Sequence, residues 1–238
     1  MFTRCVGVSP KRFIETARLE RLRRGLRRND GVMDAIFEAG FSSPSVVFGA
    51  SAGRLGMTPG RFQRGGAGEH VSYTEIESDI GPVLVAATTR DLVAVRMGPA
   101  DVLVDELARE LPNAEFARDD ELLAAFAKNI LDRIAGDVAA SPPPLDIAAS
   151  SFQARVWSAL TAIPAGTTES YAEVARAIGS PSAVRAVAGA CAANPVALVI
   201  PCHRVVRTDG SLAGHRWGIG RKETLLEREA TNRSAAGG

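Results

Sequence analysis

After Ser9-Pro10 the apolar positions Phe13, Ala17, Leu19, Leu22 and Leu26 recur at helical spacing, interleaved with Arg18, Arg21, Arg23, Arg24, Arg27 and Arg28. This predicts one long amphipathic helix, capped by the serine and opened by the proline. Asn29-Asp30-Gly31 ends it. Val32 to Ala39 predicts a short helix, Gly40-Phe41-Ser42 a turn, and Ser43-Pro44 the start of a further helix. Helix, glycine-containing turn and helix together form the helix-turn-helix pattern.

Gly65 to His70 reads as a linker, and after it the period changes. Val71–Glu77, Pro82–Thr88 and Leu92–Met97 predict short strands, with turns at Asp79-Ile80-Gly81 and Thr89-Arg90-Asp91. Helical patterns follow over about 99–111 and 119–135, and then the stiff connector Ser141-Pro142-Pro143-Pro144. Residues 70–147 are therefore expected to form a small α/β subdomain without chemistry of its own. Ser151 opens a helix whose Phe152, Val156, Leu160 and Ile163 share a face, and Pro164-Ala165-Gly166 closes it. Tyr171–Ile178 predicts a second helix. Gly179-Ser180-Pro181 turns and caps a third helix, reaching about Ala193 and rich in small residues. Val196–Ile200 is a β-branched run leading into Pro201-Cys202-His203-Arg204, and a last helix is expected over about 219–230.

The 238 residues and 46% apolar content are those of an ordinary globular chain, and no apolar stretch approaches a membrane span. Met1 to Cys5 lacks a secretory signal pattern, which predicts a cytoplasmic protein. The net charge of +1 conceals an uneven distribution. Residues 1–65 hold 12 Lys and Arg against 5 Asp and Glu, residues 66–150 hold 6 against 16, and residues 151–238 hold 10 against 6. The two basic segments either face polyanions or carry solvated helix faces.

The three cysteines, Cys5, Cys191 and Cys202, form no C-x-x-C pair, and the three histidines are His70, His203 and His215. Neither a disulfide framework nor a metal cluster is expected. Cys5 and Cys191 read as an exposed thiol and a packing residue. Cys202, directly before His203 and Arg204, sits in an electropositive stretch expected to lower its pKa. In a regular strand His203 would point away from it, so Pro201 is expected to break the strand and allow a bent or water-bridged contact. Thiolate chemistry also needs a carboxylate to orient the histidine; Glu223, Glu227 and Glu229 are all candidates by spacing.

Two resemblances sharpen this reading. Gly7-Val8-Ser9-Pro10, Ala39-Gly40-Phe41 and Leu55-Gly56-Met57-Thr58-Pro59 before Phe62 resemble the DNA-binding region of AraC-type regulators. Only the joining helix and the second helix-turn-helix unit look complete. Ile200-Pro201-Cys202-His203-Arg204-Val205-Val206 strongly resembles the signature of the O6-alkylguanine-DNA alkyltransferases. That likeness begins at Phe152-Gln153-Ala154-Arg155-Val156-Trp157 and passes through Ser170-Tyr171, Ala183–Val187 and Ala193-Asn194-Pro195. It ends at Trp217-Gly218 and Lys222–Leu226. The order of the two regions resembles the Ada-like members of the family.

The resemblance implies an α+β chain with three parts. These are a partial AraC-type region over 1–64, a ribonuclease H-like α/β subdomain over 70–147, and a winged-helix-like alkyltransferase domain over 151–232. It implies irreversible transfer of a methyl group from O6-methylguanine, and more weakly O4-methylthymine, to Cys202. It makes His203 the water-linked base, Glu229 the carboxylate orienting it and Asn194 the residue shaping the cysteine turn. Tyr171 presses on the DNA backbone and donates a proton to the departing guanine, and Arg185 is the finger filling the gap left by the flipped base. His215, where tyrosine is common, and Trp217 belong to the alkyl pocket, with Trp217 expected to narrow it. No metal or organic cofactor is implied. The expected partners are double-stranded DNA containing alkylated bases, and operator DNA through residues 1–64, for a monomeric protein. The alternative is an AraC-type regulator in which repair is secondary.

Overall fold

The computed structural model describes residues 32–40, 68–89, 91–137, 151–212 and 214–236, with single positions at 18, 21, 22, 24, 25, 143 and 145. Helix α1 (Val32–Glu38) runs as expected into a turn at Gly40, whose φ of +86° is the left-handed region glycine enters freely. Positions 18, 21, 22, 24 and 25 are helical. The remainder of the expected long helix, the helix from Ser43-Pro44, Cys5, and most of the Ser141–Pro144 connector lie outside the described residues.

Four strands form the first sheet in the order β3-β2-β1-β4: β1 (His70–Ile76), β2 (Val83–Ala87), β3 (Leu92–Met97) and β4 (Glu115–Arg118). The first three pair antiparallel and β4 lies parallel to β1, with His70 opposite Glu115. Helix α2 (Ala100–Glu110) makes the crossover, as a parallel return requires. Every residue of β2 is buried, because both sheet faces are covered. Val83, Val85 and Ala87 pack with Ile130 and Ile134 of α3 (Ala124–Ile134) on one side. Leu84 and Ala86 meet Leu103 and Leu107 of α2 on the other. Burial on both faces explains an apolar run without alternation.

Two expectations need correction here. Strand β4 lies between the two expected helical patterns, where the sequence predicts no element, since only Phe116 among its four residues is a large apolar one. Helix α3 begins at Ala124 rather than near residue 119, because Asp119 caps a preceding turn by accepting from Leu122 N at 2.9 Å.

The second half places four helices around the sequence Pro201–Arg204. Helices α4 (Ser151–Ala162), α5 (Tyr171–Ala177) and α6 (Val184–Ala192) pack on one another, and α7 (Ile219–Ala236) closes the chain. A capping box opens α5: Ser170 Oγ accepts from Glu173 N at 3.2 Å while Glu173 Oε2 accepts from Ser170 N at 2.7 Å. The expected Ser180 cap on α6 does not form; Ala183 is its N-cap and no side chain bonds there. Helix α7 runs six residues beyond the expected Ala230. Two short strands, β5 (Glu169–Ser170) and β6 (Val205–Val206), pair in parallel and bring Tyr171 beside the segment carrying Cys202. Among the described residues no helix is long and apolar enough to cross a membrane.

The small subdomain supports the site. Val95 in β3 bridges to the segment after Asn194: Val95 N donates to Pro195 O at 2.9 Å and Ala197 N to Val95 O at 3.0 Å. One continuous core joins Val83, Val85 and Leu92 to Val156, Val187 and Ile200. Arg228 of α7 adds a bridge to Asp79 and to Ile134 O, and Arg221 Nε donates to Ile80 O at 2.6 Å.

Candidate active site

Val196–Ile200 is not a continuous strand. It makes isolated bridges at Val196 and between Ala197 and Ile200, turning at Leu198 with φ of +71°. A non-glycine residue there is held by its surroundings. Asn194 supplies much of the hold: its Oδ1 accepts from Val196 N at 3.1 Å, and its Nδ2 donates to Ile200 O at 2.8 Å and to Cys202 Sγ at 3.4 Å. Past Pro201 the chain enters one 3-10 turn, Cys202–Arg204, so the strand does break where the proline stands.

The turn sends its three side chains to different partners. Sγ of Cys202 meets Asn194 Nδ2 and, at 3.8 Å, His215 Nε2; His203 is not in direct hydrogen bond with it. His203 Nε2 lies 3.0 Å from Glu229 Oε1 of α7, and both side chains are buried. A carboxylate accepts only, so Nε2 carries the proton and Nδ1 of the neutral ring is the nitrogen with a free lone pair. Spacing had left three glutamates open; the helix geometry brings Glu229 to the histidine.

Arg204 grips the same carboxylate, with Nε 2.9 Å from Oε2 and Nη2 2.8 Å from Oε1, while Nη1 donates to Ile163 O at 2.6 Å. Gly166 N adds a fourth donor at 3.1 Å from Oε2. Gly166 has φ of +69°, and a Cβ there would meet Glu229 O at 2.8 Å, so a side chain would push α7 away from the histidine. Lys222 is buried as well and donates from Nζ to Val205 O. In the sequence Arg204 stood out only as a charge expected to act on the Cys202 thiol, and Lys222 was given no role at the site.

Burial sets the ionisation of this cluster. The Cys202 thiol is pushed up by desolvation, opposed by the Asn194 hydrogen bond and the charge of Lys222. The expected electropositive lowering is thus overturned, because Arg204 spends its charge on Glu229 and the sulfur is out of water. Burial also acts against the Glu229 carboxylate, yet the hydrogen bonds from His203 and Arg204 outweigh it and hold the group at about 2. His203 is lowered by burial despite Glu229, and His215 falls to about 4 through burial and the nearby His203 and Lys222.

These shifts predict acid sensitivity. Unfolded, both histidines regain an ordinary value of 6.5 and take up protons that the folded chain refuses. Stability therefore falls as pH drops from 6.5 toward 4. Glu229 adds a loss below its ordinary 4.5, continuing toward about 2. The melting temperature should drop by roughly 5–10 °C between pH 7 and pH 4. A flat profile in thermal melts would contradict neutral, buried histidines.

A cavity of about 300 Å³ opens over Sγ, lined in part by Tyr171, Arg185, Cys191, Cys202, Arg207 and His215. Cys191 combines core packing with a place on this wall, and its thiol is pushed up to about 12 by burial and by Cys202. Tyr171 is likewise raised to about 12 by burial and the two cysteines. Trp217 does not line the cavity. It packs against both hydrophobic clusters, with the Arg216 guanidinium 4.7 Å above its ring, so the expected narrowing does not come from its side chain.

Residues 151–231 match the model of the 6-O-methylguanine DNA methyltransferase DNA-binding domain, and residues 1–65 match a helix-turn-helix domain model. The inducible methylated-DNA–protein-cysteine methyltransferase of Bacillus subtilis is 38% identical over 61% of this chain and 82% of its own length. The chain belongs to the methylated-DNA–protein-cysteine methyltransferase family. Across 98% of its length it is also 41% identical to the bifunctional transcriptional activator/DNA repair enzyme Ada of Escherichia coli, and it spans 66% of that relative. A crystal structure of Mycobacterium tuberculosis OGT in complex with DNA superposes with a TM-score of 0.57 at 34% identity, covering 68% of this chain and 93% of the other.

Proposed function

We propose that this chain repairs DNA alkylated at O6 of guanine, moving the alkyl group irreversibly to Sγ of Cys202. The observation that carries this reading is a buried cysteine at the floor of a cavity, backed by a His203–Glu229 pair. Sulfur attacks the methyl carbon, a C–S bond forms, the C–O6 bond breaks, and guanine leaves with the electron pair. The thiol proton passes to Nδ1 of His203, relayed by water since the two side chains do not touch. Glu229 holds the tautomer that leaves Nδ1 free. Asn194 shapes the turn that presents Sγ. Tyr171, with its raised pKa, keeps its proton and stabilises the leaving guanine as a hydrogen-bond donor rather than as a full acid.

A base inside a duplex is out of reach of this sulfur, so the nucleotide must be extruded, at about a few kcal/mol. Arg185, exposed at the start of α6 and on the cavity wall, is placed to enter the vacated stack. The exposed stripe Ala186, Gly189 and Ala192 lets α6 approach a minor groove about 6 Å wide. His215 contributes to the alkyl pocket. O4-methylthymine is the weaker substrate, and the site of action is the cytoplasm. The parts are the 1–64 helix-turn-helix region, the 70–147 subdomain and the 151–232 domain that carries the chemistry; one lesion needs one monomer.

A duplex with a single O6-[methyl-³H]guanine tests this. Label on the protein should rise to one methyl per chain and stop, because a thioether is not readily reversed. Continued turnover would contradict acceptance by Cys202. A second reading, transcriptional regulation through operator DNA bound by residues 1–64, is favoured by the helix-turn-helix match and by the Ada relative. Sequence-selective binding without any methyl transfer would make that reading the better one.

A further inference from the structure

We propose that His215 is a further catalytic residue, donating an N–H directly to the Cys202 sulfur and stabilising its thiolate form. This rests on the methyl-acceptor role given to Cys202 above. His215 Nε2 lies 3.8 Å from Sγ, within hydrogen-bond range of a sulfur, and it approaches alongside Asn194 Nδ2 at 3.4 Å. The sulfur thus faces two nitrogens from two different segments, the turn before it and the loop after β6.

The ring's buried second nitrogen decides the tautomer. Nδ1 of His215 is out of contact with solvent and has no hydrogen-bond partner. A proton on Nδ1 would find no acceptor in hydrogen-bond geometry, the ring's backbone contact with Gly218 being electrostatic only, and folded proteins rarely tolerate such a buried donor. A proton on Nε2 points the N–H at sulfur and orphans only an acceptor. Burial also keeps the ring neutral near pH 7, with its pKa at about 4. The two histidines divide the work: the Glu229 carboxylate behind His203 favours its protonated ring, so His203 accepts the proton, whereas His215 has no carboxylate behind it and holds the anion. Donation to a thiolate is charge-assisted and stronger than donation to a thiol, so it favours the reactive form.

The loop is built to hold this contact. Arg216 stacks on Trp217 at 4.7 Å and pairs with Glu106 of α2 at 3.7 Å. Gly218 N donates to His215 O at 3.0 Å, and Arg221 Nη1 donates to Trp217 O at 3.2 Å. Trp217, which does not line the cavity over Sγ, thereby anchors the histidine. The ionisable groups that face this pair are His203, Lys222 and Arg221, with Tyr171, Cys191, Arg185, Arg207 and Arg216 on the cavity wall. Among them Lys222 also favours the thiolate.

The test uses the full chain and iodoacetamide, reading alkylation of the Cys202 peptide by mass spectrometry across pH. His215→Phe should move the alkylation midpoint upward by about one pH unit and slow the reaction about tenfold at neutral pH. His215→Gln, which keeps a terminal N–H donor, should restore most of the rate. A profile for His215→Phe superimposing on wild type, or a Gln variant as slow as Phe, overturns the inference. Wild-type ¹⁵N NMR reads the tautomer without any substitution: Nε2–H is expected, and Nδ1–H contradicts the proposal. Loss of methyl transfer from DNA with these thiol effects intact would count against the repair reading alone.

Discussion

Cys202→Ala should accept no label from an O6-methylguanine duplex while keeping the fold and its hold on DNA. The effect on transfer is complete, because no neighbouring group can replace the sulfur. Cys191 lies on the same cavity wall, but its thiol is held near 12 by burial, so almost none of it is thiolate at neutral pH. Asn194 and His215 offer nitrogens with far weaker nucleophilic character. The structural cost is small. Removing one buried sulfur leaves a space of about one methyl group, worth roughly 1 kcal/mol. The bond from Asn194 to Ile200 O and the one it accepts from Val196 N stay in place. Label on the alanine variant equal to wild type would remove Cys202 from the reaction, and peptide mapping would then locate the true acceptor.

The second large effect is at Glu229. Its carboxylate receives His203, two bonds from Arg204 and the Gly166 amide, all inside the protein. Glu229→Ala leaves the Arg204 guanidinium buried and unpaired, which costs about 3–5 kcal/mol. It also frees the His203 ring to rotate and change tautomer. Urea denaturation should show that loss of stability, and methyl transfer should fall below detection. Glu229→Gln separates the two effects: an amide fills the same volume but lacks the charge that fixes Nε2–H. Its transfer rate should fall by about 10²-fold or more even where it remains folded, since that is the usual scale of general acid–base assistance. A glutamine variant that repairs at the wild-type rate would show that the carboxylate only holds the fold together.

Much of the chain's organisation was legible in its pattern. Leu92–Met97 is a strand at the residues expected, and helices α4 and α5 fall within one or two residues of their expected ends. These elements announce themselves because their apolar periodicity is strong and Gly or Pro punctuates them. Strand β4 was missed because an edge strand with one large apolar residue has no periodicity to read. The Cys-His-Arg run after a β-branched segment marked a candidate site, and the resemblance of its surroundings to the alkyltransferase signature is what made Cys202 the expected nucleophile.

What the linear pattern could not decide was anything set by burial or by distance across the fold. By spacing Glu229 was one of three glutamates on a helix; the family resemblance named it, and the packing of α7 against the 3-10 turn is what brings it to His203. The direction of the Cys202 shift was misread, because a run of basic residues says nothing about which charge is already paired and which group has lost its water. Trp217 moved from the cavity to the support of its loop, and His215 came within reach of the sulfur, for the same reason. The linear chain carries only the residue types and their order. The tertiary structure decided which of them share a carboxylate, a cavity or a proton, because those depend on separations of a few ångströms between segments far apart in the chain.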